Sequence, residues 1–182
     1  VETFKIMLDL LEKPNVILIE GNHEEKSVKK FIYDEEKYTK SFEETTLLPL
    51  LKEYDILSVK AHRKTKKAFK KKNIIDIYYD NYTKPIMCDL CTHGGLPLVP
   101  KLTLVSAKEM IHGVGKYETE IGEIYSENYK KGLCQDFIQV HGHRGINDGE
   151  YSYCLEARVE FGGELKILTI DNDGNIEKSG IK

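Results

Sequence analysis

Apolar residues recur along the chain with two spacings, one typical of helices and one typical of strands. Near the beginning, apolar positions three and four residues apart predict an amphipathic helix over residues 1–12, which Pro14 and Asn15 end. The nearly all-apolar run at 16–20 predicts a short strand buried on both faces. Because the chain opens at once in a helix that needs a packing partner, we expect it to be part of a longer protein.

The pattern continues as an alternation of helical and extended segments, which is typical of an α/β fold. We predict helices at 25–33 and within 41–69, a hairpin of strands 74–79 and 86–91, a helix at 106–111 starting near Ser106, a strand at 136–140, and a hairpin of 151–161 with 165–170. Residues 113–134 are expected to be mainly loop, and the polar tail from Asn172 is expected to fray.

Composition is that of an ordinary globular domain. The chain has 182 residues, of which 40% are hydrophobic and 31% charged, and its net charge is −3. This suffices for one sizeable core and excludes polyanion binding by bulk charge. No apolar run approaches the roughly 20 residues of a membrane helix, and no basic-then-apolar stretch in these residues suggests secretion. We therefore predict a single cytoplasmic domain over 1–182, with no membrane partner and with reduced cysteines.

The only close pair of cysteines, Cys88 and Cys91, has the CxxC spacing found in many zinc and redox sites. The pair falls in a predicted strand, where residues three apart point to opposite faces. No second CxxC or HxxxH pair accompanies it. A structural zinc protein with thiolate ligands therefore stays an alternative that the sequence disfavours.

Three short apolar strands each end in a glycine-flanked turn with a side chain able to bind a metal. The turns are Gly21-Asn22-His23, His93-Gly94-Gly95 and His141-Gly142-His143. Ligands of open α/β sheets bind beyond the carboxyl ends of strands, and glycine lets the backbone turn sharply near an ion. Imidazole nitrogen and amide oxygen suit Mn²⁺, Fe²⁺, Zn²⁺ or Ni²⁺. The turns together predict a metal site, although each residue alone also fits an ordinary turn or cap.

These turns lie in sequences that resemble the motifs of calcineurin-like metallophosphoesterases, the superfamily of the protein serine/threonine phosphatases. Residues 21–24 read GNHE, residues 93–96 read HGGL and residues 142–143 read GH, in the family's order. The first two motifs are specific and the third is weak alone. The resemblance implies a four-layer α/β/β/α sandwich that lacks its first strands, with a cap-like insertion at about 25–85.

The region after the GH motif is similar to the closing hairpin of bacterial phosphatases related to polynucleotide kinase-phosphatases and diadenosine tetraphosphatases. This similarity covers residues 155–165. Glu156-Ala157 stand where those relatives often have an aspartate and a small residue, so the resemblance assigns Glu156 no role.

The resemblance also implies roles for individual residues. Asn22, His93 and His143 would bind one ion of a two-metal site, with manganese as the expected metal and iron, zinc or nickel as alternatives. His23 would protonate the leaving oxygen, a role that suits imidazole in general because its unperturbed pKa is ~6.5. Arg144 would contact a substrate phosphate, unless it is an ordinary surface arginine.

The family's first two motifs, Asp-x-His and Gly-Asp-x-x-Asp-Arg, do not occur in these 182 residues. In the family they supply the other metal's ligands, the bridging aspartate and a phosphate-binding arginine. The resemblance therefore implies at most one well-liganded ion here. It also implies a phosphatase in the intact parent, with little or no activity in this chain alone.

The substrate class stays open between a polynucleotide phosphate end, a phosphoprotein and a dinucleoside polyphosphate. A basic run at 63–72 would attract a nucleic acid, or would be a solvated helix face. No GxxxxGK[ST] loop is present, so a kinase activity would come from another domain of the parent. The alternative function is a non-catalytic module that binds phosphate or one metal ion.

Overall fold

Helices and strands alternate along the chain, so the fold is mixed α/β, as the sequence predicts. The computed structural model describes residues 2–10, 12–23, 25, 40–49, 52, 74–75, 77–79, 90–171 and 173–182. They belong to two units, Val1–Ile75 and Asp76–Lys182, and each is described by itself. Within the described ranges, every helix is too short or too polar to span a membrane.

The regular elements are short. The helices are α1 (Glu2–Leu10), α2 (Lys40–Phe42), α3 (Ala107–His112) and α4 (Ile121–Lys130), with a π-helical turn at Glu43–Leu47 and 3₁₀ turns at Leu102–Leu104 and Val159–Phe161. The strands are β1 (Leu18–Ile19), β2 (Ile74–Ile75), β3 (Ile77–Tyr79), β4 (Leu90–Thr92), β5 (Gln139–His141), β6 (Ser152–Cys154), β7 (Leu165–Ile170) and β8 (Ile176–Ile181).

The first unit begins with the predicted helix, α1, and with a strand shorter than predicted, β1. β1 pairs in parallel with β2, so that Leu18 lies beside Ile74 and Ile19 beside Ile75. The predicted strand 74–79 is therefore divided, because its first part pairs with β1 and its second part, β3, pairs with β4. Most of the predicted insertion at 25–85 lies outside the described residues.

The second unit contains a four-stranded sheet in the order β3-β4-β5-β6. β3 runs antiparallel to β4, as predicted for this hairpin, while β4, β5 and β6 are parallel to one another. Parallel strands are covered on both faces, and all three residues of β5 are buried. Because these strands run in one direction, their carboxyl ends lie at the same edge of the sheet.

The core of this unit lies between the sheet and two helices. Leu90, Leu96, Val99, Met110 and Tyr125 form its buried cluster. The ring of Tyr125 is fully buried, and its hydroxyl donates to the Phe137 carbonyl at 2.7 Å. Pairing the phenol in this way removes the cost of burying an unsatisfied polar group.

The expectation that residues 113–134 are mainly loop was wrong for α4. The buried face of α4 consists of Ile121, Gly122, Tyr125 and Ser126. Gly122 and Ser126 are small and not hydrophobic, so they do not contribute to a periodic pattern of large apolar residues. Their size allows close packing, since a Cβ on Gly122 would lie 2.9 Å from the Gly149 nitrogen.

The prediction of a helix starting near Ser106 is confirmed by α3. The Ser106 hydroxyl accepts from the Glu109 backbone nitrogen at 3.2 Å, and the Glu109 carboxylate accepts from the Ser106 nitrogen at 2.9 Å. This reciprocal capping box satisfies two backbone donors at the helix start. The helix ends at Gly113, whose φ of 67° suits glycine.

The predicted pairing of 151–161 with 165–170 was wrong, and so was the frayed tail. β6 instead pairs in parallel with β5, and β7 pairs in antiparallel register with β8. The turn between β7 and β8 favours this pairing of β7 with β8. The Asp171 carboxylate accepts from the nitrogens of Asp173 and Asn175 at 2.9 and 2.8 Å, and Gly174 adopts φ 84°. Such a turn fixes the hairpin register.

Candidate metal centre

The carboxyl ends of the adjacent parallel strands β4 and β5 bring His93 and His143 together. Cys91 lies beside Val140 in the ladder, and the Gly142 nitrogen donates to the His93 carbonyl at 3.0 Å just beyond it. The two imidazole centroids are 4.8 Å apart, with an interplanar angle of 30°. Both side chains are half-buried. Residues 50 positions apart in sequence therefore present imidazole rings at one point of the sheet edge.

The turn after β4 is shaped by a close approach to α3. The Gly94 nitrogen donates to the Met110 carbonyl at 2.8 Å, and a Cβ on Gly94 would lie 2.1 Å from the Gly113 nitrogen. Only glycine fits at this contact. The next residues are held by Gln139, whose amide donates to the Leu96 carbonyl and accepts from the Leu96 nitrogen at 2.9 and 3.1 Å.

The turn after β5 holds His143 in an uncommon backbone conformation. Its φ of 61° is in the left-handed region, which side chains other than Asn, Asp and His rarely occupy. Such a conformation persists only where the surrounding structure imposes it, and it is frequent at functional sites.

His141, two residues earlier, belongs to the core. It is 2% exposed and packs against Gly95, where an added Cβ would lie 2.7 Å from the His141 Cγ. Its Nδ1 lies 3.1 Å from the Gly142 carbonyl, while Nε2 has no hydrogen-bond partner among the described groups. Burial lowers the pKa of His141, which keeps the imidazole neutral.

Arg144 anchors the turn to the end of α3. Its Nε and Nη2 both donate to the His112 carbonyl, at 3.0 and 2.7 Å. The side chain is half-buried and also packs on Gly113. This contact gives Arg144 a structural task, and its predicted contact with a substrate phosphate stays a prediction.

Asn22 and His23, the other two predicted site residues, lie in the first unit. They come three and four residues after β1 and belong to a helical turn, in which the Glu25 nitrogen donates to the Gly21 carbonyl at 3.1 Å. Asn22 is half-buried and His23 is exposed. Their roles as metal ligand and general acid stay predictions.

Two further residues at the sheet edge were not predicted from the sequence. The Tyr117 ring meets the His143 ring edge-on, with centroids 5.7 Å apart and an interplanar angle of 90°. Partial burial raises the pKa of Tyr117, as do the carboxylates of Glu156 and Glu160. Tyr117 lies in a segment read as loop, where no pattern marks it. Glu156 was noted only as a departure from the family motif.

The His93–His143 pair fits a divalent transition metal, because two neighbouring imidazoles are common ligands of such ions. Within the described ranges, no group of three or more His, Cys, Asp and Glu side chains is placed to share an ion. The third predicted ligand, Asn22, is an amide and lies outside that class.

Comparisons with protein-family models, curated proteins and solved structures found no match for this chain. The family resemblance therefore rests on the three sequence motifs alone.

Two other predicted features fall wholly or partly outside the described residues. Cys88 is outside them, whereas Cys91 lies on β4 and is half-buried. The basic run at 63–72 is also outside them. The zinc alternative and the attraction of nucleic acid stay predictions.

Proposed function

We propose that this chain carries part of the active site of a metal-dependent phosphoester hydrolase. The observation that supports the proposal most is the 4.8 Å approach of the His93 and His143 rings at the ends of two parallel strands. Both histidines belong to motifs that the sequence marked independently. The four-layer α/β/β/α sandwich belongs to the same proposal, and the parallel part of the sheet is compatible with it.

In this proposal His93 and His143 hold a divalent ion, with manganese expected, and the resemblance adds the amide oxygen of Asn22 as a third ligand from this chain. The bound ion would supply positive charge that polarises a phosphoryl oxygen. The exposed imidazole of His23 would donate a proton to the leaving oxygen, because histidine is the side chain that most often serves as a general acid in enzymes. Arg144 keeps N–H groups beyond those it gives to His112, which suit a phosphate.

The substrate is a phosphorylated molecule in which the leaving group is an alcohol or another phosphate. A polynucleotide phosphate end, a phosphoprotein and a dinucleoside polyphosphate all satisfy this description. The parent protein would provide the remaining ligands, and it would act in the cytoplasm.

The proposal is tested by titrating the chain with Mn²⁺ and measuring heat and the Mn²⁺ electron paramagnetic resonance signal. We expect one ion to bind, with affinity falling more than about 100-fold in His93→Ala and His143→Ala, above the range typical of residues behind a ligand. His112→Gln is the matched control, because this histidine lies on α3 outside the pair. Absence of Mn²⁺ binding in the wild type would overturn the metal site.

Hydrolysis is measured separately with p-nitrophenyl phosphate. We expect little turnover from the 182-residue chain and Mn²⁺-dependent turnover when the reading frame is extended upstream of Val1. Single-ion binding without turnover in both proteins would favour the non-catalytic metal-binding module.

A further inference from the structure

We propose that Tyr117 is a positioning residue that fixes the orientation of the His143 imidazole, held between that ring and the Glu156 carboxylate. The inference rests on the proposed function only in making His143 a metal ligand. Its first support is the edge-on contact of the two rings at 5.7 Å and 90°. This geometry is favourable because the positive edge of one ring meets the negative face of the other.

The backbone of Tyr117 is tied to the turn that carries His143. The Gly145 nitrogen donates to the Tyr117 carbonyl at 2.9 Å. Nearby, the Glu120 carboxylate accepts from the nitrogens of Ile146 and Asn147 at 3.1 and 3.0 Å. These bonds join the segment before α4 to the turn after β5. Tyr117 therefore cannot drift from His143 without breaking several hydrogen bonds.

The segment around Tyr117 also forms a tight turn that is held by its own hydrogen bonds. The Lys116 nitrogen donates to the Thr119 hydroxyl at 2.9 Å, and the Thr119 nitrogen donates to the Lys116 carbonyl at 3.0 Å. Gly115, with φ 83°, begins this turn. A Cβ there would lie 2.6 Å from the Thr119 hydroxyl oxygen. The tight turn presents the Tyr117 side chain from a fixed backbone.

The hydroxyl end of Tyr117 reaches the next strand end. Glu156 follows β6, and its carboxylate lies close enough to the Tyr117 hydroxyl to raise the pKa of that phenol. The same carboxylate accepts from the Arg158 nitrogen at 2.6 Å, which holds it in place. Tyr117 thus links the turn after β5 to the segment after β6, both at the carboxyl edge of the sheet.

The task that this link performs follows from the conformation of His143. A left-handed residue other than glycine depends on its surroundings, and its ring is contacted by His93 and by Tyr117. Groups behind a metal ligand orient it and typically change metal affinity 10- to 100-fold when removed. Tyr117 would do so through ring packing, with Glu156 limiting rotation of the phenol.

The test compares Tyr117→Leu with Tyr117→Phe in the full chain. We expect Tyr117→Leu to weaken Mn²⁺ binding about 10-fold, and Tyr117→Phe, which keeps the ring, to lose less. Long-range ¹H–¹⁵N spectra of the metal-free protein should show the His143 ring signals displaced in Tyr117→Leu and largely restored in Tyr117→Phe. If the hydroxyl and carboxylate act as a pair, Glu156→Ala adds little once Tyr117 is Phe.

The matched control is Tyr153, a half-buried tyrosine on β6 whose ring lies under the Lys178 ammonium at 4.6 Å. Tyr153→Leu and Tyr153→Phe should leave the His143 signals unchanged. Unchanged His143 signals in a folded Tyr117→Leu protein, or equal changes in the Tyr153 variants, would overturn the inference. If the wild type binds no Mn²⁺, the proposed metal site fails, while the metal-free spectra still decide the role of Tyr117.

Discussion

The sheet edge with His93 and His143 and the β7–β8 hairpin belong to the same unit but are built differently. At the sheet edge, Leu90 is fully buried and Val140 nearly so. In the hairpin, the paired residues Leu165 and Ile181 are 54% and 58% exposed. Both regions contain strands that are rich in apolar residues. The contrast shows that the apolar strands at the sheet edge belong to the core, whereas those of the hairpin leave much of their apolar surface exposed.

The two regions are also held by different forces. Backbone contacts fix the sheet edge, such as the bond from the Gly94 nitrogen to the Met110 carbonyl. Long charged side chains attach the hairpin, since the Lys166 ammonium donates to the Ile146 and Cys154 carbonyls at 3.0 and 3.1 Å. Lys178 pairs with Asp148 as well. We therefore expect the hairpin to loosen without moving the histidines.

The largest expected effect is that of Gly94→Ala. The new methyl would lie 2.1 Å from the Gly113 nitrogen, a backbone atom that cannot yield without shifting α3. Overpacking of this kind costs typically 1–3 kcal/mol and occasionally more, so we expect about 3 kcal/mol from urea unfolding. Because the turn carries His93, Mn²⁺ affinity should fall as well.

Gly142→Ala is the matched control at the other motif. A Cβ there would find its nearest atom, the His93 carbonyl oxygen, at an ordinary 3.8 Å. We expect a change within about 0.5 kcal/mol, as is usual for substitutions without a clash. Equal losses in Gly94→Ala and Gly142→Ala would refute the view that α3 shapes the turn.

The predictable part of the molecule was the part that depends on local chemistry. Ser106 predicts a helix start, and His93 and His143 follow apolar strands in recognisable glycine turns. These signals lie within a few residues of one another, so a single sequence reveals them. That the two histidine turns follow neighbouring parallel strands depends on sheet order, which the motifs indicated only through resemblance.

What the sequence could not reveal depends on contacts between distant segments. Tyr117 stands in a polar stretch and gains its position from Gly145, 28 residues later. β6 pairs with β5 and leaves β7 to β8, although alternation in 151–170 favoured a local hairpin. His141 and His143 look alike in sequence. His141 is the last residue of β5 and lies in the core, whereas His143 belongs to the turn beyond the strand and lies at the sheet edge.

A smaller effect is expected in the hairpin from Lys166→Met. This change removes the two bonds to the Ile146 and Cys154 carbonyls while keeping much of the apolar stem. We expect amide hydrogen exchange in β7 and β8 to rise about 10-fold, because losing the two bonds should cost at least about 1.4 kcal/mol, which corresponds to a factor of ten. Exchange in β4 and β5 should stay unchanged.

The control for Lys166→Met is Lys130→Met. This change breaks the exposed ion pair between Lys130 and Glu150, and neither residue belongs to the hairpin. Exposed ion pairs contribute about 0–1 kcal/mol, so amide hydrogen exchange in β7 and β8 should stay unchanged. Faster exchange in β4 and β5 after Lys166→Met would show that the hairpin and the histidine edge open together.

The smallest expected effect is an acid response in which the two regions behave alike. Hydrogen bonds from the Ser106 backbone and hydroxyl lower the pKa of Glu109, and those from Asn175 and its neighbours lower the pKa of Asp171.

A lowered carboxyl pKa stabilises the fold above the ordinary carboxyl range, and this contribution is lost as pH falls through the lowered value. As the pH falls from neutral through the lowered pKa of Glu109, Glu109→Gln should therefore become indistinguishable from the wild type, starting from a deficit of a few tenths of a kcal/mol at this exposed cap. Glu123→Gln, in the first turn of α4, controls for general charge loss. A deficit in Glu109→Gln that grows on acidification would mean that the charge at the α3 cap does not hold the helix behind His93.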